Sequence, residues 1–496
     1  MKVKSISFYI SAGFAVFFFL VSFAASATTN SPAAYRADQI LIKPKVGVAA
    51  STLEAFHAGH GVAVKHRYRS GGTQLITVPP GETVQDLIAK YNKSGLVDFA
   101  EPDYTVYPDA TMPNDPAFVN GTLWGLYNYG QNSGTPGADI DAPDAWDVLT
   151  SASNIVVAVL DSGIRATHQD LAANMWVNPV DGGHGYNAFD GTNDPSDDST
   201  SHGTMVAGVL GAVGNNGVGV CGVAWRVQMM ACKCLNSGSG SDSTVIACID
   251  YALANGAQII NASFDSPTVS LALSNAIVSV QQAGVIWVAS AGNNSSSDDI
   301  TPDYPTCYGL DNIVSVAYTT RTDALGQFSN YGATNVMLAA PGDQIYTTFA
   351  ASDSFYYPPS GSINLAGTSF SAPYVSGALA LMLAKYPGEN YHQIIQRLMK
   401  ATDPLPSLRG KCLTGGRLNL RKALNPDMVL SAQAGQGGGL QFELSTGPSR
   451  QCIIQSSGDL VNWTSVYTNM TDTNGLFVFT NTSVSPNQFF RASTVP

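Results

Sequence analysis

The chain of 496 residues predicts an α/β protein: a doubly wound, mostly parallel sheet, with a small α+β unit ahead of it and a small all-β unit behind it. Three observations lead there. Between Trp124 and Leu424 short aliphatic runs alternate with longer helical stretches, and that alternation implies a parallel sheet covered on both faces. Residues 37–107 repeat strand and helix signals on a smaller scale. After Pro426 the texture becomes short alternating strands separated by turn residues.

At the N-terminus Lys2 and Lys4 precede an apolar run from Ile6 to Phe23, and Ala25-Ser26-Ala27 offers a small-residue cleavage site. Residues 1–27 therefore read as an export signal removed from the mature protein rather than as a membrane anchor. No later segment is long and apolar enough to span a bilayer, so the mature protein is expected to be secreted, soluble and without a transmembrane segment. A net charge of −12 with only 12% charged residues excludes a nucleic-acid partner, which would demand a basic patch. The seven cysteines are an odd count, so at least one thiol is unpaired within the chain. Cys232 and Cys234 fall on one face of the apolar segment VQMMACKCL, as buried small hydrophobes would.

In residues 28–110, DQILIKPK reads as a strand, STLEAFHAGHG as a helix, VAVKHRYRS and TQLITVPP as strands, TVQDLIAKYNKSG as a helix and VDFAEPDYTVY as a last strand. This βαββαβ order predicts a ferredoxin-like α+β unit. In residues 111–426 the expected parallel strands are Ile155–Leu160, Val227–Lys233, Gln258–Ser263, Val285–Ala289, Ile313–Ala317 and Val336–Ala339. Such sheets bind ligands at the carboxyl ends of their strands, where Asp161 stands. AGQGGG (Ala434–Gly439) reads as a linker or wide turn. LQFELSTG, SRQCIIQSS, LVNWTSVYTN, GLFVFTNTS and NQFFRAS then make residues 427–496 a sandwich-like β module.

Three blocks carry chemistry. LAGTSFSAPYVSG (Leu365–Gly377) puts Ser369 at the start of an apolar helix, where unpaired N–H groups favour developing negative charge, although Gly-Thr-Ser is also an ordinary capping sequence. VVAVLDSGI (Val156–Ile164) delivers Asp161 at a strand end. SHGTMVAG (Ser201–Gly208) opens a helix with His202. An acid, a histidine and a serine on one rim are the parts of a nucleophile–base–orienter relay.

With Asp161, His202 and Ser369 in that chain order, and a fourth block VIWVASAGNN (Val285–Asn294), the chain resembles the subtilisin family of serine peptidases over roughly Trp124–Leu424. The resemblance implies a subtilisin-like sheet and a serine endopeptidase acting on protein or peptide substrates. The Asn293 amide and the Ser369 N–H would serve as oxyanion donors. Residues 28–110 would be an inhibitory propeptide that also chaperones folding, removed autocatalytically in the loop Pro108–Asn114. His57, His60 and His66 would leave with it. His168 reads as structural, His184 as a loop residue and His392 as the approach to a late helix, which again leaves His202 as the base.

INASFDSP (Ile260–Pro267) occupies the place of the family's substrate strand, so Ser263, Phe264 and Asp265 are implied to pair with substrate backbone. Asp265 and Ser266 stand where the family has glycines. Either Asp265 reads a cationic side chain, or it faces solvent while Phe264 shapes an apolar pocket. The resemblance also implies a structural Ca²⁺ held by Asp170, the Asn216 side chain, the carbonyls of Gly214, Val218 and Val220, and Gln131, with Asp139 as a substitute for Gln131. No catalytic metal is expected, the other partner is the chain's own propeptide, and the mature form is expected to be a monomer. The β module is expected to be a structural or surface-attaching accessory, with carbohydrate or wall binding the alternative.

Overall fold

The computed structural model describes residues 35–69, 71–104, 111–197, 200–357 and 365–426, and in the C-terminal part 429–434, 440–446, 451–458, 463–472, 476–481 and 489–494. The export segment, residues 108–110 of the expected processing loop and residues 435–439 of the expected linker lie outside the described residues.

The N-terminal unit runs β1 (Tyr35–Pro44), α1 (Ala50–Gly59), β2 (Val64–Arg67), β3 (Gln74–Thr77), α2 (Val84–Ser94) and β4 (Val97–Tyr104). Its sheet is antiparallel in the order β2-β3-β1-β4, the ferredoxin-like arrangement expected. Ile40 and Ile42, two apart in β1 and so on one face, meet Ile76, Leu87 and Tyr91 in a fully buried core. The Thr83 hydroxyl caps α2 by accepting the Asp86 N–H, and Gly95 ends it in the left-handed region.

The central unit begins with the short helices α3 (Pro116–Val119) and α4 (Ala142–Trp146). It continues through β5 (Ser151–Asp161), β6 (Gly185–Asn187), α5 (His202–Gly211), β7 (Arg226–Lys233), the hairpin β8 (Leu235–Asn236) and β9 (Ser239–Gly240), and α6 (Asp242–Ala254). Next come β10 (Ile259–Ala262), α7 (Leu271–Gln282), β11 (Ile286–Ser290), β12 (Ile313–Thr319), β13 (Leu338–Pro341) and the hairpin β14 (Thr347–Thr348) and β15 (Tyr356–Tyr357). It closes with α8 (Thr368–Lys385), α9 (Tyr391–Lys400), β16 (Thr402–Pro404), β17 (Gly416–Leu418) and α10 (Leu420–Leu424).

Nine strands form one sheet in the order β16-β17-β13-β12-β11-β10-β5-β7-β6, parallel throughout except for β16. The aliphatic strands are buried because both faces are covered. One core layer includes α5, α8, α9 and α10, and the other includes α6 and α7. Helix α8 is buried almost all round from Thr368 to Met382, as its uniformly apolar sequence requires. Cys232 and Cys234 share the second layer with Cys248 of α6.

The C-terminal unit contains β18 (Val429–Ala434), β19 (Leu440–Ser445), β20 (Gln451–Ser457), β21 (Thr464–Met470), β22 (Leu476–Asn481) and β23 (Phe489–Thr494). Two three-stranded sheets, β18-β19-β22 and β21-β20-β23, enclose Phe442, Leu444, Cys452, Ile454 and Phe477. Strand β18 lies before the first strand expected from sequence.

Candidate active site

Asp161 ends β5 with its carboxylate fully buried, and His202 opens α5. The His202 Nδ1 lies 2.8 Å from Asp161 Oδ1 and 3.0 Å from Oδ2, so the carboxylate holds the ring on the side away from Nε2. Close backbone approach makes this pairing possible. A Cβ added to Gly203 would stand 2.1 Å from the Gly163 carbonyl, so only glycine lets the helix start reach the strand end. Asp197 ties the two together. Its Oδ1 accepts the Ser162 hydroxyl at 2.6 Å and its Oδ2 accepts the Thr204 N–H at 2.9 Å. Burial pushes the Asp197 carboxyl above its ordinary range, against the pull of those hydrogen bonds. Sequence reasoning missed Asp197, whose only signal was an acidic, Ser-rich turn just before His202.

Ser369 is the second residue of α8 and half-buried. Pro373, four residues on, has no N–H, so the Ser369 carbonyl lacks its ordinary helical partner. The Ser263 hydroxyl at the end of β10 supplies that partner at 3.0 Å, while the Ser369 hydroxyl donates to the Ser263 carbonyl at 3.2 Å. Behind them the Asn261 amide donates to Ser263 Oγ at 3.0 Å and accepts from Ser376 Oγ at 2.8 Å, which locks α8 to β10. Phe370 is buried, and its ring lies 5.7 Å from that of His202.

Asn293 is exposed just past β11. Its Oδ1 accepts the Thr368 N–H at 2.9 Å and the Thr368 hydroxyl at 3.2 Å. The acceptor end of the amide is thus turned to the helix, which leaves the NH₂ end to donate outward. The Thr368 hydroxyl in turn accepts the Gly292 N–H at 3.1 Å. With the Thr368 N–H spent on Asn293 and the Phe370 N–H on the Gly367 carbonyl at 3.1 Å, the Ser369 N–H and the Asn293 NH₂ are the donors left at this end of α8 among the described residues.

A cleft of about 540 Å³ runs along this rim, lined by residues that include His202, Ser263, Phe264, Asp265 and Tyr304. Asp265 has solvent access, but partial burial and the neighbouring carboxylate of Asp303 push its pKa up to about 6.

The expected calcium ligands behave differently. Asp170 is fully buried. Its Oδ1 accepts the Asn216 amide at 2.9 Å, and its Oδ2 accepts the Val220 N–H at 2.9 Å and the Tyr356 hydroxyl at 2.8 Å. The Asn216 Oδ1 accepts the Val218 N–H at 2.8 Å. Gln131 spends its side chain on Gly121, Tyr127 and Tyr129, and Asp139 accepts from Asn128 and Asp141. The side-chain oxygens of Asp170, Asn216 and Gln131 therefore accept from N–H or O–H donors. A Ca²⁺ here would need six to eight oxygens, and those of Asp170 and Asn216 would be shared with these donors. Tyr356 was not foreseen. Its ring packs where a Cβ on Gly219 would stand, 2.0 Å away.

A buried carboxylate orients an imidazole at one helix start, and a serine opens a second helix whose Phe370 ring lies 5.7 Å from that imidazole; these are the parts a serine hydrolase uses. Residues 152–442 match the Subtilase family, more than half of the chain, and the protein belongs to that family. Residues 22–103 match the fervidolysin N-terminal prodomain. The chain is 33% identical to a thermophilic serine proteinase of Bacillus sp. strain AK1 over 343 residues, covering 69% of this chain and 76% of that protein. It is 33% identical to thermitase of Thermoactinomyces vulgaris, covering 63% and 99%, and 37% identical to subtilisin DY of Bacillus licheniformis, covering 50% and 82%. A solved protease structure from Pseudoalteromonas arctica PAMC 21717 superimposes with a TM-score of 0.52 at 28% identity, covering 63% of this chain and 99% of that one. The chain is a subtilisin-like serine endopeptidase with an N-terminal prodomain. Among the described residues no helix is long and apolar enough to cross a membrane.

Proposed function

We propose that Asp161, His202 and Ser369 act as the catalytic relay of a secreted endopeptidase that removes its own prodomain. The His202–Asp161 pairing at 2.8 and 3.0 Å carries this reading, because it fixes the Nδ1 proton on the carboxylate and leaves Nε2 to take the Ser369 proton. Ser369 Oγ then attacks the peptide carbonyl, and the resulting oxyanion is met by the Asn293 amide and the Ser369 N–H. The leaving amine takes the proton back from His202, and water repeats the sequence on the acyl-enzyme. Substrate backbone lies along Ser263, Phe264 and Asp265 as an added strand. No calcium enters this reading. The β module is an accessory, and the mature enzyme acts as a monomer.

The test is processing and labelling. Wild type loses its N-terminal unit between Pro108 and Asn114 and reacts with a serine-directed fluorophosphonate, whereas Ser369→Ala does neither. Normal maturation of the alanine variant in a protease-free host overturns self-processing. Asn293→Ala is expected to lower kcat by about 10²–10³, a magnitude taken over from subtilisin itself.

A further inference from the structure

The endopeptidase reading leaves open which side chain the cleft selects, and three carboxylates outside the relay bear on it. Asp265 lies two residues past Ser263, whose carbonyl accepts from the nucleophile. Ser266 and Tyr304 exchange backbone bonds at 2.8 and 2.9 Å, and this bridge carries Asp303 against Asp265. Asp303 also backs onto the oxyanion side, since a Cβ on Gly292 would lie 3.0 Å from its Oδ2. The acidic pair thus lies beside the ends of β10 and β11. Asn330 donates to Asp303 Oδ2 and to Asp298 Oδ1, both at 3.0 Å, which draws Asp298 in behind.

Asp298 is fully buried and Asp303 is 4% exposed, yet Asp298 Oδ2 and Asp303 Oδ1 have no hydrogen-bond partner among the described residues. No Lys or Arg forms an ion pair with any of the three there. Buried carboxylate oxygens without partners are costly, and the exposed Asp265 is the member of the cluster that lines the cleft. Among the described residues no three acidic, His or Cys side chains converge as a metal shell, whereas a guanidinium or ammonium on a long stem can enter from the cleft and reach Asp265 first.

We infer that the residue on the N-terminal side of the cleaved bond is preferentially Arg or Lys, its charge read by Asp265 with Asp303 beside it. The inference rests on the endopeptidase reading. It extends the role of Asp265 to a residue distant from it in sequence.

Mature enzyme is assayed on matched peptides carrying Arg, Lys or Phe at that position. The kcat/KM ratio of Arg to Phe is expected to exceed one in wild type and to fall about fivefold or more in Asp265→Asn and in Asp303→Asn. Benzamidine, an arginine-head mimic, is expected to inhibit wild type competitively and Asp265→Asn much less. Because Asp265 has solvent access, that variant keeps the test standing if Asp303→Asn fails to fold. An unchanged ratio in Asp265→Asn, with peptides still cleaved, overturns the specificity and leaves the endopeptidase intact. A ratio that collapses when EDTA is added to wild type assigns the cluster to a metal and also overturns it. Absence of any cleavage that Ser369→Ala abolishes overturns the endopeptidase reading itself, and the inference with it.

Discussion

Ser263 and Ser369 hold each other by reciprocal hydrogen bonds, hydroxyl to carbonyl in both directions, at 3.0 and 3.2 Å. One of the two exists because Pro373 cannot satisfy the Ser369 carbonyl from within α8. The strand that would bind substrate and the helix that carries the nucleophile are therefore positioned by one device.

Ser263→Ala removes the donor to the Ser369 carbonyl and the acceptor of the buried Asn261 amide. Stability is expected to fall by about 1–3 kcal/mol, measured by denaturant unfolding of the Ser369→Ala background to prevent autolysis. Pro373→Ala restores a backbone N–H to the Ser369 carbonyl, so the double variant is expected to recover part of the loss. Simple additivity of the two substitutions rules the coupling out.

Tyr356 donates to Asp170 and accepts the Gln169 amide at 2.9 Å. Thermal unfolding is expected to be the same with EDTA and with added Ca²⁺, since the Asp170 and Asn216 oxygens already accept from the protein's own donors. Tyr356→Phe leaves Asp170 Oδ2 short of a donor and is expected to cost about 1–3 kcal/mol. A lower Tm in EDTA alone contradicts this account of the loop.

Burial, with Asp303 nearby, pushes the Asp298 carboxyl up to about 8 from an ordinary 3.8. Between those values the folded state binds a proton that the unfolded state releases, so this group makes stability fall as pH rises through the window. Asp298→Asn keeps an acceptor for Asn330 and never ionises. Its Tm advantage over wild type is expected to grow from pH 4 to pH 8 and level off above. A difference in Tm that does not vary with pH refutes the assignment.

Phe370 follows the nucleophile and packs beside the His202 ring. It has no thioether to oxidise, so activity is expected to survive mild peroxide. Phe370→Met is expected to lose activity as the sulfoxide forms in that buried place. Equal inactivation rates in the two proteins would show that residue 370 does not bear on the site.

The sequence alone determined the βαββαβ unit, the parallel strands and the three chemical blocks. Each of these depends on local periodicity or on a residue fixed at an element's end, and both can be read along the chain. Asp161, His202 and Ser369 stood out as candidates for that reason, and Asn293 through the family resemblance. The tertiary structure alone decided the rest. Tyr356 reaches Asp170 across 186 residues, Asn330 gathers Asp298 and Asp303 across 32 and 27, and Pro373 hands a carbonyl to Ser263. Asp298 and Asp303 stand in a Ser/Asp/Pro stretch that reads as ordinary turn chemistry. What distinguishes them is their burial behind the Asn330 amide and the Ser266–Tyr304 bridge. For the calcium expectation, the family resemblance supplied the candidate oxygens, and only packing showed that amide, backbone and phenol donors reach those of Asp170 and Asn216.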